Sequence, residues 1–199
     1  MAREKTAETL MRLGALQTGH FRLTSGYHSD RYIQCARLFE RPRESETLCT
    51  ELARRFADER VDLVASPAIG GIIMGYETAR ALGTRNVFAE RENDRMVLRR
   101  GFSVRRSERV LVLEDVVTTG GSVKEVIALF EALGATVVGV GAIADRSSGH
   151  IDFGVPFRPL MTLDVQKWEE STCPLCKEGK PIVKPGSRPL PSDPRSSLR

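Results

Sequence analysis

Residues 109–122 read Arg109-Val110-Leu111-Val112-Leu113-Glu114-Asp115-Val116-Val117-Thr118-Thr119-Gly120-Gly121-Ser122, and this stretch decides the fold. Its first half is a continuous apolar run, the composition of a strand buried on both faces of a parallel sheet. The run ends in two adjacent carboxylates, passes through hydroxyl and glycine residues, and enters a segment from Val123 to Leu133 that predicts a helix closed by Gly134. Thr136–Ala144 is a second buried run. Strand, helix and strand in alternation predict a parallel α/β sheet with right-handed crossovers.

Upstream the same alternation continues. Leu10, Leu13 and Leu16 recur at helical spacing and predict a helix over about 4–17. A polar stretch from Thr24 to Arg31 precedes a short apolar run, Tyr32 to Ala36. Pro42 opens a second helix with the stripe Leu48, Leu52 and Phe56. Asp62–Ala65 predicts a short strand ending at Ser66-Pro67, and Ile69–Leu82 a helix ending at Gly83. A strand at Asn86–Ala89 leads into a charged turn, Glu90–Arg95, with another strand near Met96–Arg100.

Composition bounds the function classes. The 199 residues suffice for a core, and 41% hydrophobic with 28% charged residues exclude bulk disorder. The net charge of +4 invites a nucleic-acid reading, but its location argues against one. Residues 171–199 hold six Lys/Arg against two acids, whereas 1–170 hold 24 of each. Within the neutral body, 91–109 carry seven Arg against three acids, a local +4 that suits a small polyanion. No apolar run approaches the roughly 18 residues of a membrane span, and the N-terminus lacks a signal-peptide core. The expectation is a cytoplasmic protein with no nucleic-acid or membrane partner. Residues 1–170 form the expected domain, and 171–199, with six of the ten prolines, an extended basic tail.

Two strand ends carry chemistry. In open parallel sheets ligands bind beyond the carboxyl ends of the strands. Thr118-Thr119-Gly120-Gly121-Ser122 stands where a helix begins, so its free N–H groups and hydroxyls suit a phosphate. Glu114 and Asp115 would repel that phosphate but accept hydrogen bonds from the paired hydroxyls of a neighbouring ribose. Together they predict a ribose-5-phosphate site. The loop is not a P-loop, because no Gly-Lys-Ser/Thr follows. Ser66-Pro67-Ala68-Ile69-Gly70-Gly71 is a second small-residue loop, fit for a backbone nest around an anion such as diphosphate.

On these residues the chain resembles the type I phosphoribosyltransferases. Val110–Ser122 is similar to the motif that binds phosphoribosyl diphosphate (PRPP) in that family. Gly19–Tyr32, Ser66–Gly71 and Asp145-Arg146-Ser147-Ser148-Gly149 resemble, in collinear order, its orotate-using branch. The resemblance spans about 6–165. It implies a mainly parallel sheet flanked by helices, with a small hood, in a homodimeric enzyme that joins orotate to PRPP with Mg²⁺. It places Glu114 and Asp115 on the ribose hydroxyls and Val116, Val117 and Thr118–Ser122 around the 5′-phosphate. Pro67, Ala68, Ile69, Gly70 and Gly71 fall at the diphosphate, and Thr118 and Arg146 at orotate. An Arg suits a planar carboxylate through its bidentate fork. Mg²⁺ is expected through the diphosphate oxygens rather than through a protein cluster.

Departures qualify the likeness. Many members carry lysines and a histidine in a mobile loop that acts across the dimer. Here that stretch is Glu90-Arg91-Glu92-Asn93-Asp94-Arg95, with neither. Arg91 or Arg95 is the expected cationic substitute, supplying charge but not a proton. Ile69-Gly70 and Thr24 also stand where lysines are frequent. Alternatives are a transferase for another base, or a PRPP-responsive nucleic-acid-binding regulator of the same fold.

Cys173-Pro174-Leu175-Cys176 has zinc-knuckle spacing but supplies only two of four ligands. Cys35, Cys49 or a partner subunit would have to supply the rest for a zinc site; the alternative is a pair of reduced, structurally incidental cysteines. Four cysteines are too few for a disulfide scaffold.

Overall fold

The structure is a computed structural model that describes residues 2–147 and 149–185. In chain order its elements are α1 (Ala2–Arg12), β1 (Leu16–Arg22), β2 (His28–Ile33), α2 (Ala36–Phe39), α3 (Pro42–Arg54) and β3 (Leu63–Pro67). There follow α4 (Gly71–Leu82), β4 (Arg85–Glu92), β5 (Arg95–Leu98), β6 (Arg109–Val117), α5 (Gly121–Ala132), β7 (Thr136–Asp145), β8 (Phe157–Thr162), β9 (Lys167–Trp168) and α6 (Pro174–Lys177).

The chain divides into two compact units, one of residues 1–16 and 34–164, the other built from 17–33 and the segment after 165. This differs from the expected division at 170, because residues on both sides of that boundary pair backward. His28 and Ser29 of β2 lie antiparallel to Trp168 and Lys167 of β9, and Val183 bridges to Phe21. Residues 186–199, the rest of that expected tail, lie outside the described residues.

The first unit holds a six-stranded sheet in the order β5-β4-β3-β6-β7-β8. Every neighbouring pair is parallel except β4–β5. Alternation along β6 feeds two cores. Val110 and Val112 join Val123, Val126 and Phe130 of α5 on one face. Leu113 points the other way, toward Leu52 and Phe56 at the end of α3. Gly139 and Gly141 of β7 make room for that packing. A Cβ on Gly139 would lie 2.7 Å from the Phe56 ring, and one on Gly141 2.7 Å from Leu113.

Local signals explain the boundaries. Pro42 sits in the first turn of α3, and Gly83 closes α4 with a left-handed φ of 69°. The first helix stops earlier than its leucine spacing predicts. Gly14 turns the chain at φ 65°, and the Ala15 N–H reaches back to the Leu10 carbonyl, so Leu16 begins a strand instead.

Candidate active site

β3 and β6 are neighbours, but the chain leaves β3 toward β4 and leaves β6 toward β7. A crevice therefore opens at their carboxyl ends, the switch point where doubly wound sheets bind ligands. The two small-residue loops singled out in the sequence meet there. A Cβ on Gly70 would stand 2.9 Å from Asp115 Oδ2 and 3.1 Å from Oδ1, so only glycine lets the 66–71 loop close on that carboxylate. Gly71 is equally confined, its Cβ position 2.7 Å from Ser66 Cβ. The Ala68–Ile69 peptide is cis, and the Ile69 side chain is exposed.

Glu114 and Asp115 end the buried part of β6 and are half-buried. Burial, reinforced by the charge of Asp115, pushes the Glu114 carboxyl up to about 8. Burial also raises Asp115, opposed by the Val116 N–H, which donates to Asp115 Oδ1 at 2.8 Å. Near neutral pH the pair thus retains a proton. A ligand presenting hydroxyl donors would favour both carboxylates in ionised form.

Just beyond, Gly120 adopts φ 74° as the N-cap of α5, and a Cβ there would press on Phe153 and Ile151 at 3.0–3.1 Å. No side chain caps this helix. Its first-turn N–H groups remain available at a small open pocket lined by Glu114 and residues 116–123, with Thr118, Thr119 and Ser122 adding hydroxyls.

Arg146 directly follows β7, next to β6, and its N–H donates to the Val117 carbonyl at 2.8 Å. The Asp145 carboxylate is buried and accepts the Ser147 N–H at 2.7 Å and the Ser147 hydroxyl at 2.6 Å.

The charged turn is narrower than its sequence predicts. β4 runs through Glu92 and β5 starts at Arg95, leaving Asn93 and Asp94, both at positive φ, as a two-residue hairpin turn. Two of its acids, Glu90 and Glu92, are matched to arginines. Arg100 forks onto both oxygens of Glu90 at 2.7 and 2.8 Å, Arg99 reaches Glu92 at 2.9 Å, and Arg91 reaches Glu125 of α5 at 2.9 Å. Arg95 is exposed and has no ion-pair partner among the described residues.

The local +4 of 91–109 is not one patch. Arg109 begins β6, so with Arg105 and Arg106 it lies at the amino end of that strand, on the order of 25 Å from the crevice over nine residues. Arg109 is matched to Glu59 at 3.0 Å. Arginines adjacent in sequence are parted because β6 leads from one end of the sheet to the other.

The cysteines also fall differently from the expectation. Cys35 and Cys49 are buried in the first unit, with the Cys35 thiol directed at the Asp115 carbonyl. Cys173 and Cys176 belong to the second, where His20 and His28 join them. Neither histidine stands out as a ligand from sequence alone. His20 and His28 share the Gly19–Tyr32 segment, and their separation by eight residues is the signal that two antiparallel strands would turn into proximity.

A switch-point crevice with an acidic pair, an uncapped helix N-terminus and a glycine-rich second loop defines a phosphoribosyltransferase. The profile of the phosphoribosyl transferase domain matches residues 38–153. Orotate phosphoribosyltransferase from Caldanaerobacter subterraneus subsp. tengcongensis is 57% identical over 190 residues, 96% of this chain and 100% of that protein. The Thermotoga maritima protein of the same name is 56% identical over 183 residues, 92% of this chain and 98% of that one. Among solved structures, Mycobacterium tuberculosis H37Rv orotate phosphoribosyltransferase in complex with inorganic phosphate superposes with a TM-score of 0.65 at 26% identity, covering 81% of this chain and 96% of that one. The chain belongs to the orotate phosphoribosyltransferase family. Among the described residues, no helix is long and apolar enough to cross a membrane.

Proposed function

We propose that the protein transfers the 5-phosphoribosyl group from PRPP to orotate, giving orotidine 5′-monophosphate and diphosphate. It is a pentosyltransferase of pyrimidine biosynthesis. The observation that carries this reading is the meeting of the 66–71 loop with Asp115 at the crevice beside the open N-terminus of α5. In this reading Glu114 and Asp115 hold the ribose hydroxyls. Residues 116–122 cradle the 5′-phosphate, and 67–71 face the diphosphate. Thr118 and Arg146 bind the base, Arg146 forking onto its carboxylate. Mg²⁺, when bound, neutralises and orients the diphosphate oxygens. The donor set fits such an ion, since Glu114 and Asp115 are desolvated acids that gain from a nearby cation. Reaction proceeds by displacement at the anomeric carbon through an oxocarbenium-like state, with the departing charge stabilised by arginine. Arg95, unmatched at its hairpin tip, suits that role better than Arg91, which Glu125 already holds.

The protein acts as a homodimer with the hairpin reaching the partner's site. Supporting this, Ile73 and Tyr76 stand one turn apart on α4, 48% and 61% exposed, and a second copy would cover them. Purified protein with PRPP and Mg²⁺ should deplete the ultraviolet absorbance of orotate and leave uracil, adenine, hypoxanthine and xanthine unused. Turnover of another base with orotate untouched contradicts the reading. Tight, salt-sensitive RNA or DNA binding without turnover favours a regulator instead.

A further inference from the structure

We infer that the second unit holds a structural zinc ion on His20 Nε2, His28 Nδ1, Cys173 Sγ and Cys176 Sγ. These atoms lie within 4.8 Å of one another. Four of the six edges between them are close to those of a coordination tetrahedron. His20 Nε2 is 3.0 Å from His28 Nδ1. Cys173 Sγ is 3.5 Å from His20 Nε2, and Cys176 Sγ is 3.7 Å from His20 Nε2 and 3.3 Å from His28 Nδ1. Zinc bonds of about 2.0–2.1 Å to nitrogen and about 2.3 Å to sulfur, at tetrahedral angles, require N···N edges of about 3.3 Å and N···S edges of about 3.5 Å. Two thiolates with two imidazoles in that geometry select zinc over the oxygen-preferring Mg²⁺ and Ca²⁺.

The surroundings orient the ligands. His20 Nδ1 lies 2.9 Å from the Lys180 carbonyl. A proton on Nδ1 donated to that oxygen leaves Nε2 with a free lone pair, the arrangement of a ligand histidine supported from behind. His20, His28 and Cys173 are buried, while Cys176 is exposed, so the cluster is closed to solvent on most sides. Four protein ligands fill a tetrahedron and leave no open position, which makes the site structural.

The second unit also needs such a tie. Its described residues, 17–33 and 165–185, number about 40, a size at which metals or disulfides usually supplement the core. Among them the buried apolar side chains are Phe21, Ile33 and Cys173. The ligands come from β1, β2, the Cys173 N-cap of α6 and Cys176 within α6, so one ion fastens both chain segments.

Zinc content per chain tests this independently of any transferase activity. Protein loaded with zinc and desalted should retain about one equivalent. Cys35→Ser/Cys49→Ser should keep it, and Cys173→Ser/Cys176→Ser and His20→Gln/His28→Gln should lose it. Should those variants fail to fold, differential alkylation of the wild-type chain decides. Cys173 and Cys176 should react at least tenfold faster after chelation, and hydrogen exchange in 17–33 and 165–183 should accelerate with them. A wild type that retains no zinc, a double-cysteine variant that retains it, or alkylation indifferent to chelator overturns the assignment.

Discussion

The carboxyl end of β6 and the β4–β5 hairpin both concentrate charge, and they treat it in opposite ways. On the hairpin, Glu90 and Glu92 each have an arginine within 2.9 Å, Arg91 reaches Glu125 of α5 at 2.9 Å, and the pairs lie in solvent, where each contributes little. At the end of β6, two carboxyls are adjacent and half-buried, with no cationic partner among the described residues; burial pushes both upward, and at Glu114 the charge of Asp115 adds to it. A fold that matches Glu90 and Glu92 on the hairpin leaves unmatched the pair that faces the crevice. Unmatched charge marks where a ligand supplies the missing partner. By the same measure Arg95, the hairpin cation without an acid, is set apart from Arg91, Arg99 and Arg100.

The largest expected effect comes from neutralising the acidic pair. Glu114→Gln/Asp115→Asn should lower kcat/KM for PRPP by about 10²-fold, in line with roughly 1.5–3 kcal/mol for a hydrogen bond to a charged group. Thermal stability should hold or rise, since no favourable ion pair is lost. A large drop in Tm would show that the pair is structural and break the contrast. Next, Arg95→Ala should reduce kcat about tenfold with Tm unchanged, whereas Arg91→Ala should disturb catalysis less. Equal rates for both variants and wild type would remove the hairpin from the mechanism.

A smaller effect concerns pH. The folded-state pKa of Glu114 is raised from 4.5 to about 8, so the folded protein binds its proton more tightly than the unfolded chain does. Stability should therefore fall as pH rises from about 4.5 to about 8 and level off above, the reverse of an ion-paired carboxylate. Thermal melts of wild type against Glu114→Gln across that window should show the slope flattened in the variant. Identical slopes would mean that the carboxyl titrates normally.

The sequence made the sheet legible where strands are apolar on both faces. β3, β6 and β7 and the helices α3, α4 and α5 fall close to the spans that hydrophobic runs, Pro42, Gly83 and Gly134 predict. Short, half-exposed strands carried no such signal, so β1, β8 and β9 escaped the reading. The hairpin turn hid behind Asn93-Asp94, which lacks the glycine that usually marks it. Among site residues, the 114–122 string and the 66–71 loop were readable because phosphate and ribose chemistry needs those types in that order. The partners of Cys173 and Cys176 were not, because His20 and His28 lie more than 140 residues away in sequence. Arg105, Arg106 and Arg109 adjoin the hairpin charge in sequence but not in space, since linear spacing does not reveal that a strand carries the chain to the other end of the sheet.

The central claim is that the β3–β6 crevice binds PRPP through ionised Glu114 and Asp115. Calorimetric titration of PRPP with Mg²⁺ at pH 7, repeated in buffers of different ionisation enthalpy, tests it most directly. Wild-type protein should bind PRPP with release of up to one proton, and Glu114→Gln/Asp115→Asn should bind at least tenfold more weakly without that release. Equal affinity and equal proton release in the two proteins would contradict the claim.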